Sequence, residues 1–344
     1  MRRLSGDAVI ERREPRAAGG LRGAKNTLIF VLASAVVAIC KGLPYRVLCA
    51  LGRGVGAMAW VVAPTARETA IENVRTTIAL GDRGRARAIA RATYRRLGAL
   101  LGDTIDLAGT RQRASSKLPI GAMSRAVLVD AIAEGRGVVL VTAHFGSWER
   151  LAAVLVECGA RLVTPVRRSY DARLEARIVE PLRARHGVTT LDRDAPTTPL
   201  QLARALKRGD VVGILVDLNT RTPSIRAPFL GRSARTTVAP ARLAIARGAA
   251  VVCAMATRDG VVIERVRSAT TPNPRSSPEP VRTLTEAINA RIGEAIAREP
   301  ESWIWMHPRW AEAPAGSTGD LDERALTAPS PPCEVARPPN GDGA

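Results

Sequence analysis

The sequence has few of the residues that build covalent or metal-based scaffolds. Its five cysteines are an odd number and none falls in a C-x2-C pair, which argues against a disulfide framework or a structural zinc site and for a reducing compartment. Aromatic residues make up only 3% of the chain, which argues against single-strand nucleic-acid platforms, because those stack bases on rings. Apolar residues reach 46% of the 344 residues, enough for one large domain or two modest ones with a buried pocket.

Lysine is scarce, yet the chain is strongly basic. Four lysines leave 51 − 4 = 47 arginines against 32 acidic residues, and the formal net charge is +19. Part of this excess fits GC-rich coding, because alanine, arginine and glycine rise together. Residues 1–25 carry +4 and residues 311–344 carry −4, so the body of the chain keeps the whole surplus. A basic body indicates an anionic partner, whether a membrane surface, a nucleic acid or a phosphorylated substrate.

The longest apolar stretches lie near the N-terminus. Residues 1–25 form a basic head predicted to be disordered, and residues 26–65 hold two apolar stretches, 28–40 and 47–63. The first is 13 residues long, short of the roughly 20 that a bilayer-spanning helix requires. Insertion into one leaflet, or a single imperfect span with the basic head inside, is favoured. A buried helical hairpin of a soluble protein is the alternative.

Helix and strand patterns alternate from about residue 120 onward. An amphipathic helix is predicted before that point, over residues 85–107. Strands are predicted at residues 137–142, 162–165, 211–216, 249–255 and 261–266. Helices are predicted at residues 151–158, 174–185, 199–207, 239–247 and 281–298. Strands this uniformly apolar need cover on both faces, so we predict an α/β fold with a mainly parallel or mixed central sheet flanked by helices.

Two segments depart from the alternation. The last predicted strand, at 261–266, alternates apolar with charged residues, which favours an antiparallel or edge position. Residues 311–344 hold six prolines without periodicity and are predicted to be a disordered tail. Residues 66–310 are therefore predicted to form the functional domain.

His144 is the most informative of three histidines. It follows the predicted strand that ends at Thr142, and a helix is predicted to begin near Ser147, so it lies where open α/β sheets place their ligands. Glu149, in the first turn of that helix, can converge on the imidazole, hold its Nδ1–H and leave Nε2 free to accept a proton from a substrate hydroxyl. The spacing alone equally allows a structural histidine beside a glutamate that balances the helix dipole. His186 is predicted to cap a helix C-terminus.

His144 and Glu149 bound the sequence His-Phe-Gly-Ser-Trp-Glu, an H-x4-[DE] motif. It resembles the late (secondary) acyltransferases of lipid A biosynthesis, whose broad family includes bacterial phosphatidylinositol mannoside acyltransferases. Further blocks resemble the same family in the same order: Asn73 in Ala-Ile-Glu-Asn-Val-Arg, Asp217 after Val-Gly-Ile-Leu-Val, Pro228-Phe-Leu-Gly-Arg232, Pro240-Ala-Arg-Leu-Ala, and Trp303-Ile-Trp-Met-His-Pro-Arg-Trp310. The motif alone is weak, but the ordered blocks, spread over roughly residues 40–310, are specific together.

The resemblance implies transfer of a fatty acyl chain from a thioester on acyl carrier protein or coenzyme A. The acceptor would be a hydroxyl of a phosphorylated lipid, such as a lipid A precursor, at the cytoplasmic face of the inner membrane. His144 would be the general base, and Glu149 would orient it and stabilise its charge. No cofactor or metal is implied beyond the donor thioester. No serine or cysteine nucleophile is needed either, which fits a sequence without a Gly-x-Ser-x-Gly elbow.

The resemblance also implies three substrate-binding residues, Arg167, Asp217 and Arg232. Arg167 matches the arginine of the family's Arg-Pro block and is the candidate to hold a phosphate or the donor, because a guanidinium grips such oxygens bidentately. Arg232 is a candidate second phosphate anchor, or one of many surface arginines. The chain departs from the family pattern at three positions, with Arg168 in place of proline, Asp171 in place of asparagine and Leu218 in place of glutamine. The role of the Arg167 block therefore stays open.

Two other functions remain as alternatives. A non-catalytic basic protein bound to membranes or nucleic acid would act through its charge alone, with His144 and Glu149 dispensable. Low lysine and few aromatics give that reading little support, and no nucleic-acid partner is expected. A metal-dependent hydrolase would use His144 and Glu149 as ligands, but the sequence offers no H-E-x-x-H and no third ligand.

Overall fold

A computed structural model gives the architecture of the chain. It describes residues 42–109, 112–167, 175–220, 222–266 and 279–312, together with positions 27, 35, 38–40 and 173. The predicted basic head, most of the first apolar stretch and residues 313–344 of the predicted tail lie outside the described residues, as do Arg168 and Asp171. Those domain boundaries remain predictions.

A mixed sheet forms the centre of the described part. Its strands are β1 (Val138–Thr142), β2 (Leu162–Val166), β3 (Thr189–Asp192), β4 (Val211–Leu215), β7 (Ala250–Ala256) and β8 (Val261–Arg265), while β5 (Ser224–Phe229) and β6 (Arg232–Thr237) form a separate antiparallel hairpin. The sheet order is β3-β2-β4-β1-β7-β8, with parallel neighbours except for the antiparallel β7–β8 pair. The predicted mixed sheet is confirmed, and so is the antiparallel edge position of β8.

Helices cover both faces of this sheet. The α-helices of the described chain are α1 (Tyr45–Val62), α2 (Pro64–Arg75), α3 (Arg83–Gly109), α4 (Ala122–Ala133), α5 (Trp148–Glu157), α6 (Glu180–Arg185), α7 (Thr198–Lys207), α8 (Ala239–Arg247) and α9 (Glu279–Arg298). Those that pack on the strands of the sheet include α4, α5, α7, α8 and α9. Alternate residues of β1 enter two different cores: Val139 and Val141 pack in one cluster, and Val138 and Leu140 in the other. A strand buried on both faces needs an apolar residue at every position, which is why β1 reads as an unbroken apolar run.

The hairpin β5–β6 and the edge strand β3 were not predicted. The residues of β3 are exposed or half-buried, so they carry no apolar run. The hairpin turns through Leu230 and Gly231, both with positive φ (50° and 76°). Tight hairpins of this kind usually place Asn-Gly or Asp-Gly at those positions, so a leucine there conceals the turn.

Helix α1 packs against α3 backbone to backbone. A Cβ built on Gly52 would lie 2.0 Å from the carbonyl oxygen of Gly98, and one built on Gly56 would lie 2.1 Å from the carbonyl oxygen of Tyr94. Only glycine fits at such contacts, and small residues four apart are the usual way for two helices to approach this closely.

The opposite face of α1 is apolar and exposed. Its residues recur every three or four positions and include Leu51 (54% exposed), Val55 (50%), Met58 (63%) and Val62 (70%). Within the described part of the chain, α1 is the one helix long and apolar enough to cross a membrane. Length and composition alone make this weak support for membrane association.

Candidate functional site

Parallel pairing of β1 and β4 brings His144 and Asp217 together. Thr142 lies opposite Leu215 in the register, and each strand is followed two residues later by a titratable side chain. His144 Nδ1 lies 3.0 Å from Asp217 Oδ1, and the His144 backbone N–H donates to Asp217 Oδ2 at 2.9 Å. Because an ionised carboxylate only accepts, the neutral ring carries its proton on Nδ1 and presents a lone pair at Nε2. This is the tautomer that a general base needs.

Asp217 is fully buried behind the imidazole. Burial by itself raises the pKa of this carboxyl, but the electrostatic interaction with the His144 ring and the hydrogen bonds from His144 and Trp303 outweigh it, so the pKa lies below its ordinary value. The Trp303 indole Nε1–H donates to Asp217 Oδ2 at 2.8 Å. Three donors on a buried carboxylate keep it ionised. Asp217 has no exposed surface and its carboxylate contacts the histidine, so the structure favours a role in positioning His144, and the predicted role in binding substrate stays a prediction.

Glu149 has a different partner from the one expected. Arg183 donates to its carboxylate from Nε and Nη2, at 3.0 and 2.5 Å, and lies 4.0 Å from Glu175. The prediction that Glu149 holds His144 Nδ1 is therefore wrong. Helix α5 begins one residue before Glu149, so its side chain is directed to α6, while Asp217 occupies the Nδ1 position. Glu149 and His144 nevertheless line the same cavity.

A cavity of about 720 Å³ lies at this edge of the sheet. One part of its wall is apolar and lies among α5, β1, β2 and β4: Leu140, Leu151, Ala152, Leu155, Leu162 and Gly213. The other part is polar and arginine-rich, and includes His144, Glu149, Arg167, Arg183, Arg193, Asp194, Asn219 and His307 together with several threonines. The described lining includes no serine or cysteine. A cavity with one apolar and one arginine-rich part suits a molecule that joins a hydrocarbon chain to an anionic head.

The predicted arginines separate into two locations. Arg167, directly after β2, lines the cavity and is exposed. Arg193, which the sequence analysis missed, follows β3 and donates its backbone N–H to the carbonyl of Val166 at 2.8 Å, so the two arginines end neighbouring strands. Arg232 is not part of the lining. Its guanidinium donates to Thr76 Oγ1 at 2.6 Å and lies 5.0 Å from the Trp310 ring centroid, so the predicted phosphate anchor ties the β5–β6 turn to the segment after α2.

The tryptophan-rich segment, residues 303–310, packs beside the site and hydrogen-bonds to it. Trp303 and Trp305 are fully buried, so these side chains are part of the packed core. Asn73 donates from Nδ2 to the carbonyls of Trp305 and His307, at 2.8 and 3.0 Å. Arg309, fully buried, donates to carbonyl and hydroxyl oxygens around the end of β4 and on β6. Asn73 thus anchors the backbone of the C-terminal block, and that block supplies the Trp303 indole that donates to Asp217.

A metal site finds no support in the described ranges. No three histidine, cysteine, aspartate or glutamate side chains come together there in a group that could hold a metal ion. The two candidate ligands of the hydrolase interpretation are engaged elsewhere, His144 with Asp217 and Glu149 with Arg183.

Comparisons with known proteins identify the family of the chain. The family model for the bacterial lipid A biosynthesis acyltransferase matches residues 22–312. Phosphatidylinositol mannoside acyltransferases of Mycobacterium tuberculosis (strain ATCC 25618 / H37Rv) and Mycolicibacterium smegmatis are 26% identical over 186 and 185 residues, or 52% and 53% of this chain and 56% and 60% of theirs. The lipid A biosynthesis palmitoleoyltransferase of Escherichia coli (strain K12) is 25% identical over 279 residues, 80% of this chain and 89% of that protein. The chain thus spans little more than half the length of the mycobacterial relatives.

Proposed function

The chain belongs to the bacterial lipid A biosynthesis acyltransferase family, and from that we propose that it transfers a fatty acyl chain from a carrier thioester to a hydroxyl of a phosphorylated lipid. The observation that carries the proposal is the His144–Asp217 pair at a cavity with an apolar part and an arginine-lined part. Its relatives are named for acylation of phosphatidylinositol mannoside and for lipid A biosynthesis. The acceptor we propose is a glycolipid or phospholipid of that class.

The reaction follows from the tautomer of His144. The acceptor hydroxyl gives its proton to His144 Nε2 as its oxygen attacks the thioester carbonyl carbon. A carbon–oxygen bond forms and the carbonyl oxygen takes the negative charge. Collapse of this intermediate breaks the carbon–sulfur bond, and the leaving thiolate takes the proton from His144. Asp217 balances the charge of the imidazolium while it exists.

Direct attack needs no nucleophile from the protein. A thioester is already activated, and the described lining offers neither serine nor cysteine. The apolar part of the cavity, with Leu140, Leu155 and Leu162, would hold the acyl chain by burying its methylenes, at about 0.8 kcal/mol each. The donor, whether acyl carrier protein or coenzyme A carries it, is the one co-substrate we propose, with no further cofactor.

The arginines of the polar wall have two different proposed roles. Arg167 and Arg193, at the ends of neighbouring strands, are placed to bind a phosphate of the donor or of the acceptor, because guanidinium groups bind phosphate oxygens in pairs. Arg193 also forms an exposed pair with Asp194 at 3.5 Å, which a bound phosphate would displace. Arg183 is neutralised by Glu149, so this pair joins α5 to α6 and adds no net charge to the wall. We propose that Glu149 acts through this bridge on the shape of the cavity.

Helix α1 is the surface that we propose enters the membrane, at the cytoplasmic face of the inner membrane. Its exposed face is apolar from Val47 to Val62 along the helix, and the face toward α3 is occupied by glycine contacts. Arg46 and Arg53 on α1 are exposed, which suits an anionic headgroup layer beside the apolar face. The acceptor lipid would then reach the cavity without leaving the bilayer.

A charge on this face tests the proposed membrane contact. We expect Met58→Glu to lower the affinity for vesicles of phosphatidylethanolamine and phosphatidylglycerol by about thirty-fold, since a charged side chain costs about 2 kcal/mol or more in lipid. Co-flotation with vesicles measures it. Met123→Glu is the matched control, because Met123 is an exposed methionine (81%) on α4 rather than on α1. Equal flotation of Met58→Glu and Met123→Glu would contradict the assignment.

Acyl transfer itself is tested with the wild-type chain in membranes. Each acyl donor, a thioester of acyl carrier protein or of coenzyme A, is combined with a mannosylated phosphatidylinositol or a lipid A precursor. The masses of the lipids are then measured by mass spectrometry. We expect at least one combination to add a single acyl chain to the acceptor. Binding to anionic vesicles with no thioester consumed in any combination would favour the non-catalytic alternative.

A further inference from the structure

His307 is a second histidine of the cavity, and the reaction outlined above leaves it without a role. It lines the cavity together with His144. The segment that carries it runs beside the residues after His144: the Gly146 N–H donates to the carbonyl of Ser302 at 2.9 Å, and Phe145 forms an antiparallel bridge with Trp303. The chain therefore brings both imidazoles to one cavity through paired backbone.

The hydrogen bonds of His307 fix its tautomer. The backbone N–H of Asn219 donates to His307 Nε2 at 3.0 Å. A backbone amide only donates, so Nε2 holds a lone pair and the neutral ring carries its proton on Nδ1. Asn219 is itself anchored, because its Nδ2 donates to the carbonyls of Ala311 and Glu312 at 3.2 Å each. Within the described chain, Nδ1 of His307 has no hydrogen-bond partner.

The surroundings keep this ring neutral. Burial lowers the pKa of His307, Asp217 opposes that effect, and the positive charge of Arg309, joined by His144 whenever that ring is protonated, lowers the pKa further. A second proton would have to enter Nε2 and break the bond from Asn219. His307 is therefore a donor at Nδ1 and is not available as a base at neutral pH.

We infer that His307 Nδ1–H donates to the thioester carbonyl oxygen as that oxygen becomes an oxyanion. The inference rests on the proposed acyl transfer. As the acceptor oxygen bonds to the carbonyl carbon, the carbonyl oxygen gains a negative charge, and a preorganised donor at that point lowers the barrier. The charge returns to form the carbonyl when the carbon–sulfur bond breaks, and the Nδ1 proton stays on His307 throughout. In this scheme His144 transfers the proton, and His307 stabilises the negative charge on the carbonyl oxygen.

Two variants, His307→Asn and His307→Gln, separate the inferred role from a purely structural one, because the two roles predict opposite orders of activity for them. In His307→Asn the side-chain amide lies near the former Nδ1 and retains a donor there, but the acceptor for Asn219 is lost. In His307→Gln the longer side chain reaches the former Nε2 position and retains an acceptor for Asn219, but the donor at the δ position is lost.

We expect His307→Gln to lower kcat by about 10²–10³-fold with little change in KM for the thioester, as for loss of one oxyanion donor. We expect His307→Asn to stay within about tenfold of wild type. His186→Gln is the matched control, since that imidazole caps α6 and contacts Leu107 O.

The tautomer is measured independently by ¹⁵N and ¹³C NMR of labelled histidine, which is expected to show Nδ1–H in the wild type at neutral pH.

Three results would overturn the inference. One is wild-type kcat in His307→Gln; another is a larger loss in His307→Asn than in His307→Gln, which is the order that support of Asn219 alone would give. The third is an Nε2–H or doubly protonated His307 in the NMR spectra. Failure of the proposed function would look different, because the wild type would then transfer no acyl chain while the NMR result stood unchanged.

Discussion

Replacing His144 with glutamine is expected to lower kcat for acyl transfer by about 10⁴-fold, the upper range for a positioned general base. Glutamine places its amide near the former Nε2 and has no basic nitrogen there to receive the hydroxyl proton. Asp217 loses the ring donor but keeps the backbone N–H of residue 144 and the Trp303 Nε1–H as donors. The binding of the donor is expected to be unchanged, since His144 supplies one polar group to a cavity with many others. Single-turnover rates and equilibrium binding of a thioester separate the two effects.

His186→Gln serves as the control for loss of a histidine. His186 is the C-terminal cap of α6, as predicted from sequence, and its Nε2 lies 3.1 Å from Leu107 O. It is outside the described lining of the cavity. The control is expected to keep wild-type kcat. A His144→Gln protein that retained more than about a tenth of wild-type kcat would exclude general-base catalysis by this residue.

Asp217→Asn is expected to lower kcat by about 10³-fold or more. An asparagine amide can donate to His144 Nδ1, which would place the ring proton on Nε2 and remove the lone pair that faces the substrate. The matched comparison is Glu149→Gln, because Glu149 is the other carboxylate near the histidine and its partner is Arg183. We expect Glu149→Gln to lose no more than about tenfold, the order of effect for reshaping a cavity wall. A larger loss of kcat in Glu149→Gln than in Asp217→Asn would instead support Glu149 as the partner of His144.

The same aspartate gives stability a defined dependence on pH. Because the pKa of Asp217 is lower in the folded chain, the unfolded chain binds its proton more readily as the pH falls. The stabilisation is complete above the ordinary aspartate pKa and is lost as the pH falls through the folded value. Urea unfolding at about pH 7 and about pH 3 is expected to show the difference between wild type and Asp217→Asn narrowing in acid. A difference that is independent of pH would contradict an ionised, buried Asp217.

The fold was largely readable from the sequence where burial is complete. Strands such as β1 and β7, buried along their whole length, produce unbroken apolar runs, and β8 carries the alternation of an edge strand. The hairpin β5–β6 was hidden because its sequence is rich in arginine and threonine. Arg235 is almost fully buried there, with its guanidinium on Ser224 Oγ, a polar interior that no hydropathy pattern reveals.

The site was half predicted, and the error has a physical cause. His144 was found from its position after a strand, but its partner was sought five residues away on the chain. The partner is 73 residues away, since Asp217 follows β4 as His144 follows β1. A signal was present, because both residues stand two positions beyond a buried strand. Using it required knowing that β1 and β4 are neighbours, and the order β3-β2-β4-β1 does not follow from chain order.

The central claim is that the acyl chain passes directly from a thioester to a lipid hydroxyl at His144. Single-turnover mass spectrometry of both the lipid and the intact protein tests it most directly. With wild type, we predict acylated lipid at the rate of thioester loss and no acylated protein at any time; with His144→Gln, we predict neither product on that timescale. An acyl-protein that forms and decays before the lipid ester appears, or lipid acylation at the wild-type rate by His144→Gln, would contradict the account.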